Sequence, residues 1–193
     1  MQSVPSDPDA FFTSYLPARF AEVAARLGVA ASVGSVTARV LDAGEWSLRI
    51  DDGVLRVISG AEDDVMLQLT VTRADFDVLV REPLAEAGEK ATVVRVGPLR
   101  ALAANPETAR LVRHVPGSVL LVARDGPIKH RLLMTPGRRK AELESPDCTI
   151  DCALDDLRAV HAGTVAPMQL FTSGKLRITG NVQIAMALAA LFT

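Results

Sequence analysis

Aromatic side chains are scarce in this sequence: six Phe, one Trp and one Tyr make up 4% of its 193 residues. Surfaces that hold single-stranded nucleic acid stack its bases on aromatic faces, so the scarcity argues against that class. An excess of either charge is also missing. Lys plus Arg number 21 against 23 for Asp plus Glu, a net charge of −2, which leaves no broad basic field to hold phosphates by releasing counterions. No nucleic-acid partner is therefore expected. Cysteines are two, Cys148 and Cys152. In a strand they share one face about 13 Å apart, too far for a disulfide. No further Cys or His stands at metal-ligand spacing, so no metal is expected and both read as buried thiols. No run approaches the roughly 18 apolar residues needed to span a bilayer, and the opening residues carry neither a positive leader nor an apolar signal run. The reading is a cytoplasmic protein.

What the sequence does hold is aliphatic. Hydrophobic residues reach 49%, nearly all Val, Leu, Ile and Ala, enough for a packed core. Residues 1–10 read as a flexible tail with a helix start at Asp7 and Pro8. Phe11, Phe12, Tyr15 and Leu16, then Phe20, Val23, Ala24 and Leu27, recur at helical spacing until Gly28. From Gly34 the period falls to two, predicting strands over 35–41, 45–50, 53–58 and 65–71, with Asp52-Gly53 as a hairpin turn. A helix over 73–80, a strand over 91–96 and a helix through Leu99, Leu102 and Ala103 follow.

The order then begins again. Gly34-Ser35-Val36 recurs as Gly117-Ser118-Val119, and Asp42, Asp64 and Gly97 recur as Asp125, Asp147 and Gly180, each 83 residues on. The second pass reads as a helical lead-in over 106–114, strands over 118–123, 128–134, 138–143 and 147–152, helices over 155–162 and 166–172, a strand over 175–179 and a helix over 181–192. Two units, 11–105 and 106–193, are expected, packed as a tandem pseudo-dimer.

The segment from Met168 to Leu188 contains Phe171, Gly174-Lys175-Leu176, Ile178, Gly180-Asn181, Ala185-Met186 and Leu188. It resembles the closing motif of the sterol carrier protein type-two family. Asp64-Val-Met-Leu-Gln-Leu, leading to Asp75-Phe76, is similar to that family's strand-to-helix passage, and Trp46-Ser-Leu to its second strand. The resemblance implies an α+β fold with a five-stranded mixed sheet packed on helices. It also implies a hydrophobic tunnel that takes a sterol, a fatty acyl chain or a similar lipid, without a cofactor. The first unit departs from the pattern, having Gly88-Glu-Lys90 where the family has Phe-x-x-Gly-Lys.

The last helix is apolar nearly all round and cannot lie on a surface with a single buried stripe. Three readings fit: a core element between the units, the lining of a ligand tunnel, or a docking face for another chain. The expected ligand-lining residues are Met168, Phe171, Ile184, Met186 and Leu188, with Phe76 and Trp46. Catalytic groups are missing. His114, His130 and His161 sit apart and read as surface or structural, no Gly-x-Ser-x-Gly elbow occurs, and Thr172-Ser-Gly-Lys175 lacks the leading glycine of a phosphate loop. Arg138-Arg139-Lys140 reads as a solvated turn or as a transient contact for anionic lipid headgroups. The expected function is non-catalytic lipid binding or transfer. The competing expectation is an interaction or dimerisation module without a ligand cavity.

Overall fold

The computed structural model describes residues 3–27, 31–83, 101–102 and 104–189. The chain enters through α1 (Pro8–Ala10), where Asp7 Oδ2 accepts from the Ala10 N–H at 3.0 Å. Pro8 costs nothing there, because the first N–H of a helix has no internal partner. A wide turn, Phe11–Tyr15, lets the Leu16 N–H reach back five residues to the Phe11 carbonyl before α2 (Leu16–Leu27) begins. Residues 8–10 thus belong to the folded body and not to the tail expected over 1–10. The Trp46 indole donates to Asp9 Oδ1 at 2.9 Å, and Arg73 Nη2 donates to the Ser6 carbonyl at 2.8 Å.

Eight strands follow: β1 (Ser35–Val40), β2 (Gly44–Asp51), β3 (Val54–Ser59), β4 (Val65–Val71), β5 (Val119–Asp125), β6 (Ile128–Pro136), β7 (Cys148–Ala153) and β8 (Arg177–Gly180). Among the described residues they form one mixed sheet, in the order β3-β2-β1-β4-β6-β5-β7-β8. This corrects the expected five-stranded sheet. Strands from both halves of the chain join directly, through antiparallel pairing of β4 with β6. The helices are α3 (Arg73–Phe76) with a second wide turn, Asp77–Arg81, then α4 (Pro106–Arg113), α5 (Leu154–His161), α6 (Pro167–Thr172) and α7 (Val182–Ala189). The architecture is α+β.

β1 pairs antiparallel with β2 and parallel with β4, and β5 pairs antiparallel with β6 and parallel with β7. The triplet β2-β1-β4 is thus followed by β6-β5-β7 in the same order and directions. Gly34 and Gly117, which lead into β1 and β5, take φ of +139° and +142°, a conformation side-chain-bearing residues rarely adopt.

One predicted strand is not a strand. In the first triplet β3 lies on the outer edge of β2, but the matching edge of β6 is occupied by β4, so residues 138–143 have no ladder to join. They cross the sheet face opposite the helices. Ala141 and Leu143 pack against Leu120, Val122 and Leu133, and Gln68 Nε2 donates to the carbonyls of Gly137 and Arg139 at 2.7 and 2.9 Å. The strand expected over 91–96 lies outside the described residues, as do Leu99, Ala103 and positions 190–192 of the last predicted helix. Ala101 and Leu102 are helical and buried.

Candidate functional site

Register places two apolar rows on the helix side of the sheet. The first runs Trp46, Ala38, Leu69, Met134, Val119, Cys148, one residue per strand, and all six are buried. The second runs Val71, Leu132, Leu121, Ile150, Ile178, and of these only Val71 is buried. The other four pack against the core yet stay half-buried. α7 covers the first row by sending Ile184, Ala185 and Leu188 into the core. One step beyond the second row, Leu79 from the Asp77–Arg81 turn and Leu154 from α5 close over Ala123. Leu132, Leu121, Ile150 and Ile178 therefore form an aliphatic strip between covered zones.

Among the described residues the first half of the molecule has no such strip, because aromatic rings occupy its interior. Phe11 meets Phe12 edge-on at 5.0 Å and Phe76 edge-on at 5.2 Å, and Phe12 stacks on Trp46 at 4.9 Å between centroids. Tyr15 stacks on Phe11 at 5.6 Å, and all five rings are buried. Among the described residues of the second half the one aromatic is Phe171, and it is exposed.

The seven residues expected to line a ligand site do not converge. Ile184 and Leu188 face inward, but Met186 is 52% exposed on the opposite side of α7. Met168 and Phe171, on α6, are 54% and 45% exposed. Phe76 and Trp46 belong to the aromatic cluster of the first half. The apolar run of α7 divides because an eight-residue helix crossing a sheet can bury only one face; Val182 and Met186 are left on the other. The Gly180-Asn181 turn before it has a local reason. Gly180 takes φ +92° where an added β-carbon would press on the Asp147 carbonyl, and Asn181 Oδ1 accepts from the Gln183 N–H at 3.1 Å, capping α7.

One polar group, read from the sequence as surface or structural, is buried and paired. His130 stands on β6 in phase with Leu132 and Met134, so alternation turns it to the helix side. It is 9% exposed, and its Nδ1 lies 3.1 Å from Oδ1 of Asp75 on α3, also buried. Asp75 Oδ2 accepts from Thr72 Oγ1 at 2.8 Å. In-phase placement was the available signal; the partner, 55 residues away, was not.

Burial also sets the state of two thiols and one imidazole. Burial pushes the Cys148 thiol up and the Cys152 thiol up to about 11, where nearby Asp151 adds to the shift. Burial holds His161 below its ordinary range, and its Nδ1 has no hydrogen-bond partner. Among the described residues no group of three or more His, Cys, Asp or Glu is placed to hold a metal ion, and no helix is long and apolar enough to cross a membrane. An open cleft of about 220 Å³ lies where the start of β4 meets α4 and the end of β6. Its walls are charged: Arg113 Nη2 contacts Asp64 Oδ1 at 2.6 Å, and Arg138 Nη1 contacts Asp63 Oδ1 at 2.5 Å. Such walls suit an ion better than a hydrocarbon.

The SCP-2 sterol transfer family matches residues 100–193. Sterol carrier protein 2 of Oryctolagus cuniculus is 49% identical over 45 residues, which are 23% of this chain and 8% of that protein, so the chain spans a small part of this curated relative. Similar solved structures include sterol carrier protein 2 like 2 from Aedes aegypti, 20% identical, covering 61% of this chain and 95% of that one with a TM-score of 0.35. The palmitated SCP2L2 of Aedes aegypti is 22% identical, with 48% and 84% covered and a TM-score of 0.38. Sterol carrier protein 2 from Yarrowia lipolytica in its apo form is 17% identical, with 61% and 85% covered and a TM-score of 0.35.

Proposed function

Residues 100–193 of this chain belong to the SCP-2 sterol transfer family, and from that premise we propose that the protein binds and carries an apolar lipid without making or breaking bonds. The observation that carries the reading is the half-buried strip Leu132, Leu121, Ile150 and Ile178 on the helix side of the second half. Aliphatic side chains left partly uncovered beneath helices offer an apolar floor, and each methylene a ligand buries there contributes about 0.8 kcal/mol. A chain of about ten methylenes gathers about 8 kcal/mol before the cost of immobilising it. Ile184 and Leu188 would border this floor from α7. Phe76 and Trp46 would act indirectly, by keeping the first half filled so that one lipid binds per chain.

The same reading takes the chain as two related units, 11–105 and 106–193. Support comes from the repeated strand triplet and from the matched φ of Gly34 and Gly117. The units would lie side by side by translation, not face to face about a two-fold axis. Delivery would take place in the cytoplasm. The exposed Arg138, Arg139 and Lys140 would meet anionic headgroups there, at about 1 kcal/mol per basic residue near such a surface.

Native mass spectrometry of protein purified without detergent, combined with displacement of a fluorescent fatty acid, tests the proposal. Copurified lipid and saturable binding at one site per chain are expected; neither being found would sink it. A second reading has its own observation. Met168, Phe171, Val182 and Met186 are all at least 44% exposed on α6 and α7, which suits an apolar partner surface. Under that reading, replacing Met168 and Phe171 with Ser abolishes capture of a partner protein and leaves lipid displacement unchanged.

A further inference from the structure

The two halves of the chain part company at one pair of matching landmarks. Asp147, 83 residues after Asp64, spends its side chain locally: Oδ2 accepts from the Ser118 N–H at 2.8 Å and from the Ser118 hydroxyl at 3.1 Å. At the matching place the Ser35 N–H and hydroxyl go to the Asp64 main-chain carbonyl instead, which leaves the Asp64 carboxylate to Arg113. The charged cleft of about 220 Å³ lies there, lined by Asp63, Asp64, Arg113, Gly137, Arg138 and Arg139. We propose that this cleft is an anion site and that its ligand is a phosphate monoester. The site goes beyond the lipid-carrying reading and does not depend on it.

Three guanidinium groups face two carboxylates across the cleft, so it carries an excess of positive charge. Arg113 is held in place: Nη2 donates to the Val33 carbonyl at 3.1 Å and contacts Asp64 Oδ1 at 2.6 Å. Gly34 packs so closely that a β-carbon there would meet Nη2 at 2.5 Å. The Arg113 Nε is buried and, among the described residues, has no acceptor. A donor taken out of water without a partner is costly, and an arriving anion supplies one. Arg138 pairs with Asp63, whose side chain is 95% exposed; such a pair contributes little in water, so Asp63 can swing aside. Arg139 lines the same cleft, and among the described residues no carboxylate stands within ion-pair reach of it. Guanidinium forks match the paired oxygens of a phosphate. A phosphate monoester brings two charges and three terminal oxygens, enough to replace Asp63 and to serve several donors, whereas a carboxylate brings one charge and two. A nucleic-acid strand is disfavoured by Asp63 and Asp64 at the rim and by the net charge of −2.

Glycerol 3-phosphate and acetate, each titrated calorimetrically into the full chain, test the class of ligand; phosphatidylcholine vesicles containing phosphatidic acid present the same group on a lipid. Glycerol 3-phosphate should bind at one site per chain, about tenfold or more tightly than acetate. Arg139→Gln should weaken it about tenfold, and Asp63→Asn, which removes the competing carboxylate, should strengthen it about threefold or more. Both positions are exposed, so both variants should fold. The gain in Asp63→Asn is a change that a merely structural ion pair would not produce. Vesicle binding that Arg139→Gln abolishes would make the phosphate that of a lipid headgroup; binding of the soluble ester alone would make it a free phosphate ester. No saturable binding of either probe, or binding that Arg139→Gln leaves untouched, would overturn the assignment. Fatty-acid displacement on the same wild-type protein keeps the two ideas apart: its absence sinks the carrier reading and leaves this cleft standing.

Discussion

Phe12 and Trp46 stack with 4.9 Å between ring centroids and 23° between planes, joining the opening helical segment to β2. With Phe11 and Phe76 edge-on nearby, the rings fill the interior of the first half, so a cavity made there should cost stability and not lipid binding. Phe76→Ala is expected to lower the unfolding free energy by about 3 to 5 kcal/mol in urea titrations. The fluorescent fatty acid should still bind with wild-type affinity; loss of binding would move the lipid site into the first half.

Leu121 and Ile150 invite the opposite experiment. Both are half-buried, so a polar replacement costs less stability than one in the fully buried row. Ile150→Gln should destabilise by no more than about 2 kcal/mol and weaken fatty-acid binding at least about tenfold. Val119→Gln, at a position with 0% exposure, should compromise folding itself. If both variants bind lipid equally well when folded, the strip is not the floor of the site.

Gly117 combines φ +142° with a position where an added methyl would press on Ile184 and Asp147. Gly117→Ala is expected to cost about 2 kcal/mol or more and to shift α7, seen as lost amide-exchange protection over 182–189. Gly34→Ala meets Arg113 and the Asp64 carbonyl instead, so its effect should appear at the contact of α4 with β4 and leave α7 protected.

Much of the fold was legible because alternation and turn residues are local signals. Strand β4 falls at the predicted limits, and most other strands within two residues. What failed was set by partners distant in the chain. Residues 138–143 carry a strand-like pattern, but whether a strand forms depends on a free edge, and β4 had taken that edge. The expected ligand-site residues lie apart for a related reason. Met168, Phe171 and Met186 are apolar in sequence, yet which face of α6 and α7 turns inward depends on how each helix meets the sheet. His130 was dismissed because its partner could not be seen from the sequence.

His161 supplies a pH test. Burial keeps its imidazole from taking a proton in the folded protein, whereas the unfolded chain takes one near the ordinary value of 6.5. Below that pH the unfolded state binds more protons, so this group's contribution makes stability fall as pH drops beneath 6.5. His161→Phe should flatten the stability profile between pH 7 and about 5 in urea titrations. An unchanged slope would show that the ring is already solvated.

Cys152 supplies a chemical one. With its thiol pushed up to about 11 from 9.0, the folded protein at pH 8 should hold about a hundredfold less thiolate there than an unfolded chain does. Iodoacetamide labelling should accelerate by at least that factor in denaturant, followed by mass spectrometry of the peptide. Rapid labelling of Cys152 in the native protein would contradict the buried placement.

The junction of β4 with β6 bears on how the chain is made. As it leaves the ribosome, β4 can settle against β1 at once, but its other edge waits for residues about sixty positions further on. Through that interval the nascent protein shows a bare, aliphatic strand edge, the kind of surface that recruits chaperones or a neighbouring chain. A stop after residue 105 would make this state permanent, so the amino-terminal half made alone should accumulate as aggregate.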